Sequence, residues 1–332
     1  MALQALTAAT CFALSYSLAG CAVHPPPDVS PSPEVLMDTA DRQPAPIASG
    51  VLVMAHGGSE TWNAAVEAAV APLGEEIPTA IAFGMASPVT LQNAVDELES
   101  AGVARIAVIR LFISGESFLH RTKFLFDKRT DARPHGRTAH GSDAELHPIR
   151  TASQIEIDPQ GLVDGFETGV ILRDRALALS RDPTSEAVLI LAHGNGDEAA
   201  NNRLLENTEA AADVIRADGF RDVRVETLRE DWAAARDNAE SRIRGWVTEN
   251  VAEGRRVIVI PFRLSGFGPF KDVLEGLEYE ADGQGLIPHE AIGAWLRRRT
   301  EAVFCTNGWR QEAVSCPDRP MRATRRTSST SF

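Results

Sequence analysis

Several common functional signatures are missing from this chain. It holds four cysteines in 332 residues, none spaced as Cys-x-x-Cys, and no His-Glu-x-x-His. A structural zinc finger and a zincin-type protease therefore lack their ligand sets. No Gly-x-Ser-x-Gly follows a predicted strand, which argues against a serine hydrolase of the α/β type. The formal charge is −13 with a pI near 5.1. A nucleic-acid binder needs a basic stripe to displace counterions, and the body of the chain has none. Its one basic cluster, Arg319 to Arg326, falls in a Ser-, Thr- and Arg-rich tail within 306–332 that is predicted to be disordered.

The amino-terminal end has little charge of either sign. Residues 1–20 carry no charged side chain and run through an apolar stretch to Leu18-Ala19-Gly20-Cys21. This resembles the lipobox of bacterial lipoproteins, which implies cleavage before Cys21, lipidation of its thiol and a mature chain anchored on the periplasmic side of a bacterial membrane. The departure is Met1-Ala2-Leu3-Gln4, which lacks the usual Lys or Arg. An uncleaved amino-terminal membrane helix is the alternative, and either reading carries the body out of the cytoplasm. Residues 21–49 are rich in proline and are expected to form an extended linker. Cys305 and Cys316 then remain; an oxidising compartment permits their pairing, and spacing leaves it open.

What the body has is a repeat. Val51-Leu52-Val53-Met54-Ala55-His56-Gly57 recurs as Val188-Leu189-Ile190-Leu191-Ala192-His193-Gly194. Each apolar run reads as a strand buried on both faces, as in a helix-covered parallel sheet. Each histidine then sits at a strand's carboxyl end, the edge where open α/β sheets bind ligands. Strands and helices alternate around both copies. The predicted order is strand 51–55, helix 60–73, strand 79–83, helix 90–101, strand 105–113, strand 154–158 and a helix to about 179. It continues with strand 187–192, helix 199–217, strand 223–228, helix 233–251, strand 256–262, a weak strand 278–281 and helix 290–304. The expected fold class is α/β, two tandem flavodoxin-like, doubly wound parallel-sheet lobes facing a cleft, over 50–182 and 183–305, with a polar insertion at 128–150.

Three motifs stand out: the strand ending Met54-Ala55-His56-Gly57, the loop Leu111-Phe112-Ile113-Ser114-Gly115-Glu116-Ser117, and the helix start Gly285-Leu286-Ile287-Pro288-His289. Together they resemble those of the class II chelatases, the sirohydrochlorin cobalt and iron chelatase family of siroheme and cobalamin synthesis. The resemblance spans about residues 50 to 305. It implies insertion of a divalent metal substrate (cobalt, ferrous iron or nickel) into a sirohydrochlorin-like tetrapyrrole, with no organic cofactor. Such chemistry needs few protein ligands, open coordination positions and a base for two pyrrole protons, all of which suit neutral imidazole. His56 matches the family's first histidine and is the expected metal ligand and proton acceptor. Glu116 stands where the family has a second histidine, while His120 lies four residues on. Either could complete a metal and catalytic site, and if 114–126 is helical the two share a face. The alternative is an ordinary exposed Glu-His pair.

The second half has no titratable side chain at the position of Glu116. In Phe262-Arg263-Leu264-Ser265-Gly266-Phe267-Gly268, Arg263 is expected to meet a carboxylate of the tetrapyrrole and Phe267 to offer it a flat wall. His193 and His289 are further tetrapyrrole-contacting candidates, although Pro288 suits a first helical turn and His289 could simply face solvent there. His135, His140 and His147 fall in the polar insertion and fit no single helical face. The competing function is a metal- or tetrapyrrole-binding lipoprotein without turnover, a carrier or scavenger. A periplasmic solute-binding protein shares the two-lobed outline, and fold alone does not separate these.

Overall fold

The structure, a computed structural model, describes residues 48–128, 147–309 and 311–316. The expected signal, Cys21, most of the linker, most of the polar insertion with His135 and His140, and residues 317–332 lie outside these. Four parallel strands build the first sheet: β1 (Ser49–Ala55), β2 (Thr79–Phe83), β3 (Arg105–Leu111) and β4 (Gln154–Ile157), in the order β2-β1-β3-β4. Three more, β5 (Glu186–Ala192), β6 (Asp222–Thr227) and β7 (Arg256–Phe262), make the second in the order β6-β5-β7. The two histidine-bearing strands are thus flanked on both sides. Every residue of β1 and of β5 is buried, which is why both read as unbroken apolar runs. The predicted strand at 278–281 shrinks to a single bridge between Ile258 and Glu280.

Alternation along the strands decides which core each side chain enters. Val51, Val53 and Ala55 face one core while Leu52 and Met54 face another; Val188, Ile190 and Ala192 part from Leu189 and Leu191 in the same way. Strand-to-strand crossovers are made by α1 (Glu60–Gly74), α2 (Pro88–Ser100), α5 (Glu198–Arg216) and α6 (Ala233–Ala252). Ser59 caps α1 by accepting from the Trp62 amide, and Asp197 caps α5 by accepting from that of Ala200. Two shorter helices follow strands, α3 (Leu119–Leu125) after β3 and α7 (Phe270–Val273) after β7.

The helices that close each half are exchanged. α4 (Phe166–Leu179), from the first half, packs on α5 and β7; α8 (Glu290–Asn307), from the second, packs on α1 and β3. One continuous apolar core consequently runs through both halves, joining Val53, Ile109 and Leu162 to Ile190, Ile260 and Trp295. Two bidentate ion pairs reinforce the crossing. Arg298 on α8 binds the buried Glu167 on α4 at 2.6 and 2.7 Å. Arg299 binds the buried Asp158, just past β4, at 2.7 and 2.6 Å. Beyond α8, Cys305 and Cys316 are disulfide-bonded with Cα atoms 5.4 Å apart. Within the loop they close, Gln311 donates to the carbonyl of Ser49 at the start of β1 at 2.7 Å.

Since Trp295 is fully buried in the shared core, Trp295→Ala should lower stability by about 3–5 kcal/mol. Both halves should melt together, with far-ultraviolet circular dichroism and tryptophan fluorescence giving coincident denaturant transitions. Two separate transitions would mean that the lobes hold their structure independently.

Candidate functional site

His56 and His193 each follow the last residue of a central strand, and the backbone beyond them is fastened alike in both halves. The Trp62 indole donates to the His56 carbonyl at 2.7 Å, and the amide of Gly58 donates to Asn63 at 3.1 Å. Correspondingly, the amide of Asn195 donates to the buried Asn201 at 3.0 Å. The His56 ring meets Phe112 and Phe118 edge-on, with centroids 5.5 and 6.1 Å away. The His193 ring meets Trp232 at 5.9 Å. Its Nδ1 lies 2.9 Å from the Gly194 carbonyl and its Nε2 3.2 Å from an Asp231 carboxylate oxygen.

The loop after β3 is organised by a buried arginine. Arg110 lies within the apolar strand, and its guanidinium donates to the carbonyls of Gly115 (2.6 Å), Ser117 (2.6 Å), Asp158 (3.1 Å) and Pro159 (2.9 Å). Burial pushes its pKa down to about 10, against the attraction of Asp158 and Asp164. A close backbone crossing holds the loop from its other side. The amides of Leu162 and Val163 donate to Phe112 and Ile113, and those of Leu286 and Ile287 donate to Arg263 and Leu264. A Cβ on Gly161 would stand 2.4 Å from the Gly115 nitrogen, and one on Gly285 2.6 Å from the Arg263 carbonyl. The Gly-Leu pairs of the sequence are therefore crossing points, where only glycine fits.

Glu116 and His120 do not share a helical face. Residues 115–118 form a turn, Phe118 adopts a left-handed conformation with φ 55°, and α3 begins only at Leu119. The pull of Arg110 on the Gly115 and Ser117 carbonyls, with the Glu116 amide donating to Ser114 Oγ at 3.1 Å, accounts for the turn. His120 is half-buried in the first turn of α3.

Between the two strand edges lies a cavity of about 780 Å³, within the size range of small-molecule sites. It brings together four of the expected residues, His56, Glu116, His193 and Arg263. His120, Phe267 and His289 are outside its lining. Phe267 stacks on Tyr279 with centroids 6.1 Å apart, in the core beneath the second sheet. His289 caps α8, its Nδ1 accepting from the Ala291 amide at 3.1 Å while Nε2 lies 3.4 Å from Asp174. Arg263 is ion-paired with Glu230 and lies over the Phe270 ring. Residues not anticipated from the sequence also line the cavity, chiefly Asp164, Arg203 and Asn207. Arg110 had a legible signal, an arginine within an apolar strand; the Arg203 face of α5 had none that marked it off from a solvated helix. Among the described residues, no three His, Cys, Asp or Glu side chains form a group that could hold a metal ion.

No protein-family model matches the chain, and no curated protein matches it in sequence. Solved structures do resemble it. A multi-domain protein from Deinococcus radiodurans with structural similarity to chelatases superposes with a TM-score of 0.50 at 15% identity, over 80% of this chain and 56% of that one. The chain thus spans little more than half that protein's length. SirB from Bacillus subtilis, solved with Fe3+, gives a TM-score of 0.53 at 13% identity, over 79% of this chain and 98% of that one. The sirohydrochlorin chelatase SirB from Bacillus subtilis subspecies spizizenii, in complex with cobalt, gives 0.53 at 13%, over 79% and 97%. The chain therefore has the two-lobed, parallel-sheet α/β fold of chelatases.

Replacing Arg110 with Met, similar in length, strands four carbonyls and should cost about 3 kcal/mol. Amide exchange should accelerate selectively over residues 113–118. Exchange that stayed at the wild-type rate there would dismiss Arg110 as the anchor of the loop.

Proposed function

We propose that the protein is a sirohydrochlorin-chelatase-like enzyme that inserts cobalt or ferrous iron into a tetrapyrrole held between the lobes. The observation that carries this reading is the cavity of about 780 Å³ into which His56 and Glu116 from one half and His193 and Arg263 from the other converge, within a chelatase fold. Inserting a divalent ion into a tetrapyrrole forms metal–nitrogen bonds and releases two protons. His56, held between Phe112 and Phe118 at the end of β1, is the metal ligand and proton acceptor. Neutral imidazole binds these ions, and nickel, without saturating them, so positions stay open for the pyrrole nitrogens. Glu116 is the second metal ligand by its place in the cavity; His120 takes that part only if the turn before α3 rearranges. His193 and Arg263 contact the macrocycle from the opposite wall.

A second reading, a tetrapyrrole or metal carrier without turnover, is favoured by one specific contact. Glu116, the second metal ligand of the first reading, is paired with Arg203 at 2.9 Å. In either case we read residues 1–20 as an export signal and Cys21 as a lipid anchor, which puts the protein on the periplasmic side of the membrane.

Mixing the purified protein with sirohydrochlorin and then cobalt or ferrous iron under anaerobic conditions separates the readings by absorption. The expected result is metal-dependent conversion faster than the protein-free control and beyond one equivalent. Binding without turnover selects the carrier. His56→Ala should reduce insertion at least a hundredfold with an unchanged circular dichroism spectrum; wild-type rates in that variant would remove His56 from the mechanism.

A further inference from the structure

The part of the cavity lining contributed by the second half includes one face of α5, formed by Ala200, Arg203, Leu204 and Asn207 at helical spacing. Two of these side chains reach across to the first half. The Arg203 guanidinium donates to Glu116 at 2.9 Å, and the Asn207 amide donates to Asp164 at 3.2 Å. The two cavity arginines differ in how firmly they are committed. Arg263 is largely shielded, tied to a Glu230 side chain that is only 12% exposed. Arg203 and Glu116 have side chains 53% and 62% exposed. An ion pair in water at that exposure is weak, so its partners exchange readily.

We propose that Arg203 is a ligand-carboxylate-binding residue which, before the ligand arrives, shields Glu116 from the metal. A planar macrocycle bearing carboxylates takes over the guanidinium, one carboxylate replacing another, and leaves Glu116 to the divalent cation. The inference rests on the reading of the cleft as a tetrapyrrole and metal site. No ion pair is lost in the exchange, and releasing Glu116 costs little because its pair with Arg203 is more than half exposed. The carboxylate released at Glu116 meets the double positive charge of the incoming metal. Macrocycle and metal therefore bind with positive coupling, and by linkage each strengthens the other to the same degree. A macrocycle without carboxylates gains none of this, so Arg203 also sets specificity.

The test is calorimetric titration of Co2+ alone into wild type, Arg203→Met, Glu116→Gln and the double variant, together with absorption titration of sirohydrochlorin into the same four. Arg203→Met should bind Co2+ about fivefold more tightly than wild type, a gain that the double variant abolishes. It should bind sirohydrochlorin about tenfold more weakly, with Arg203→Lys in between because an ammonium keeps the charge but not the fork. A structural role alone would weaken both. Equal Co2+ affinity in wild type and Arg203→Met, or no Co2+ binding by either, overturns the shielding; equal sirohydrochlorin affinity overturns the carboxylate contact. If wild type binds no sirohydrochlorin, the tetrapyrrole reading of the cleft falls and the carboxylate contact with it. The Co2+ comparison still decides whether Glu116 is shielded.

Discussion

The reciprocal exchange of α4 and α8 is the constraint on which the cleft depends. Each sheet is covered on one side by a helix that the other half supplies, so the lobes cannot separate without opening the core around Trp295. Hydrophobic burial does most of this work, and the Arg298–Glu167 and Arg299–Asp158 pairs fix how α8 is placed. Held this way, the carboxyl ends of β1 and β5 border one cavity and two histidines far apart in sequence become neighbours of the same space. The disulfide and Gln311 extend the clamp to the start of β1, so that strand is secured at the end opposite His56.

The two halves are copies in frame and not in chemistry. Both have the histidine after a central strand, an asparagine that receives the following loop, and a glycine crossing. In register with the central strands, Arg110 stands opposite Met54, whereas its counterpart Pro261 stands opposite Leu191. The first half therefore has a cation to gather the carbonyls of its loop, and the second has a residue without even an amide hydrogen. Asp164 and Pro288 repeat the contrast three residues after each crossing glycine. One side of the cleft offers His56 and carboxylates; the other offers arginines and a histidine already matched to carbonyl and carboxylate.

Much of this fold was legible because the strands are buried on both faces. β2 and β7 match their expected limits, and β1 and β5 extend them by one or two residues at the start. The alternation of elements pointed to two parallel-sheet lobes for the same reason. The helix exchange was not legible, since an amphipathic stripe shows that α8 must cover something and not which sheet it covers. In the site, His56 and His193 were found by repetition. The Glu116 and His120 pairing failed on one dihedral, the left-handed Phe118, which periodicity does not register. The motif reads His289 as a ligand or a solvent-facing side chain; the structure makes it the cap of α8, with Pro288 before the helix and not in its first turn.

The glycine crossings carry a consequence for how such a cleft can change. At Gly161 and Gly285 an added methyl would collide with backbone, which has nowhere to retreat. The Ala200, Arg203, Leu204 and Asn207 face of α5 stands on a regular helix and carries no such restriction. Variation in ligand preference, by drift or by engineering, is channelled to that helical face, while the loops that hold the histidine edges stay closed to it.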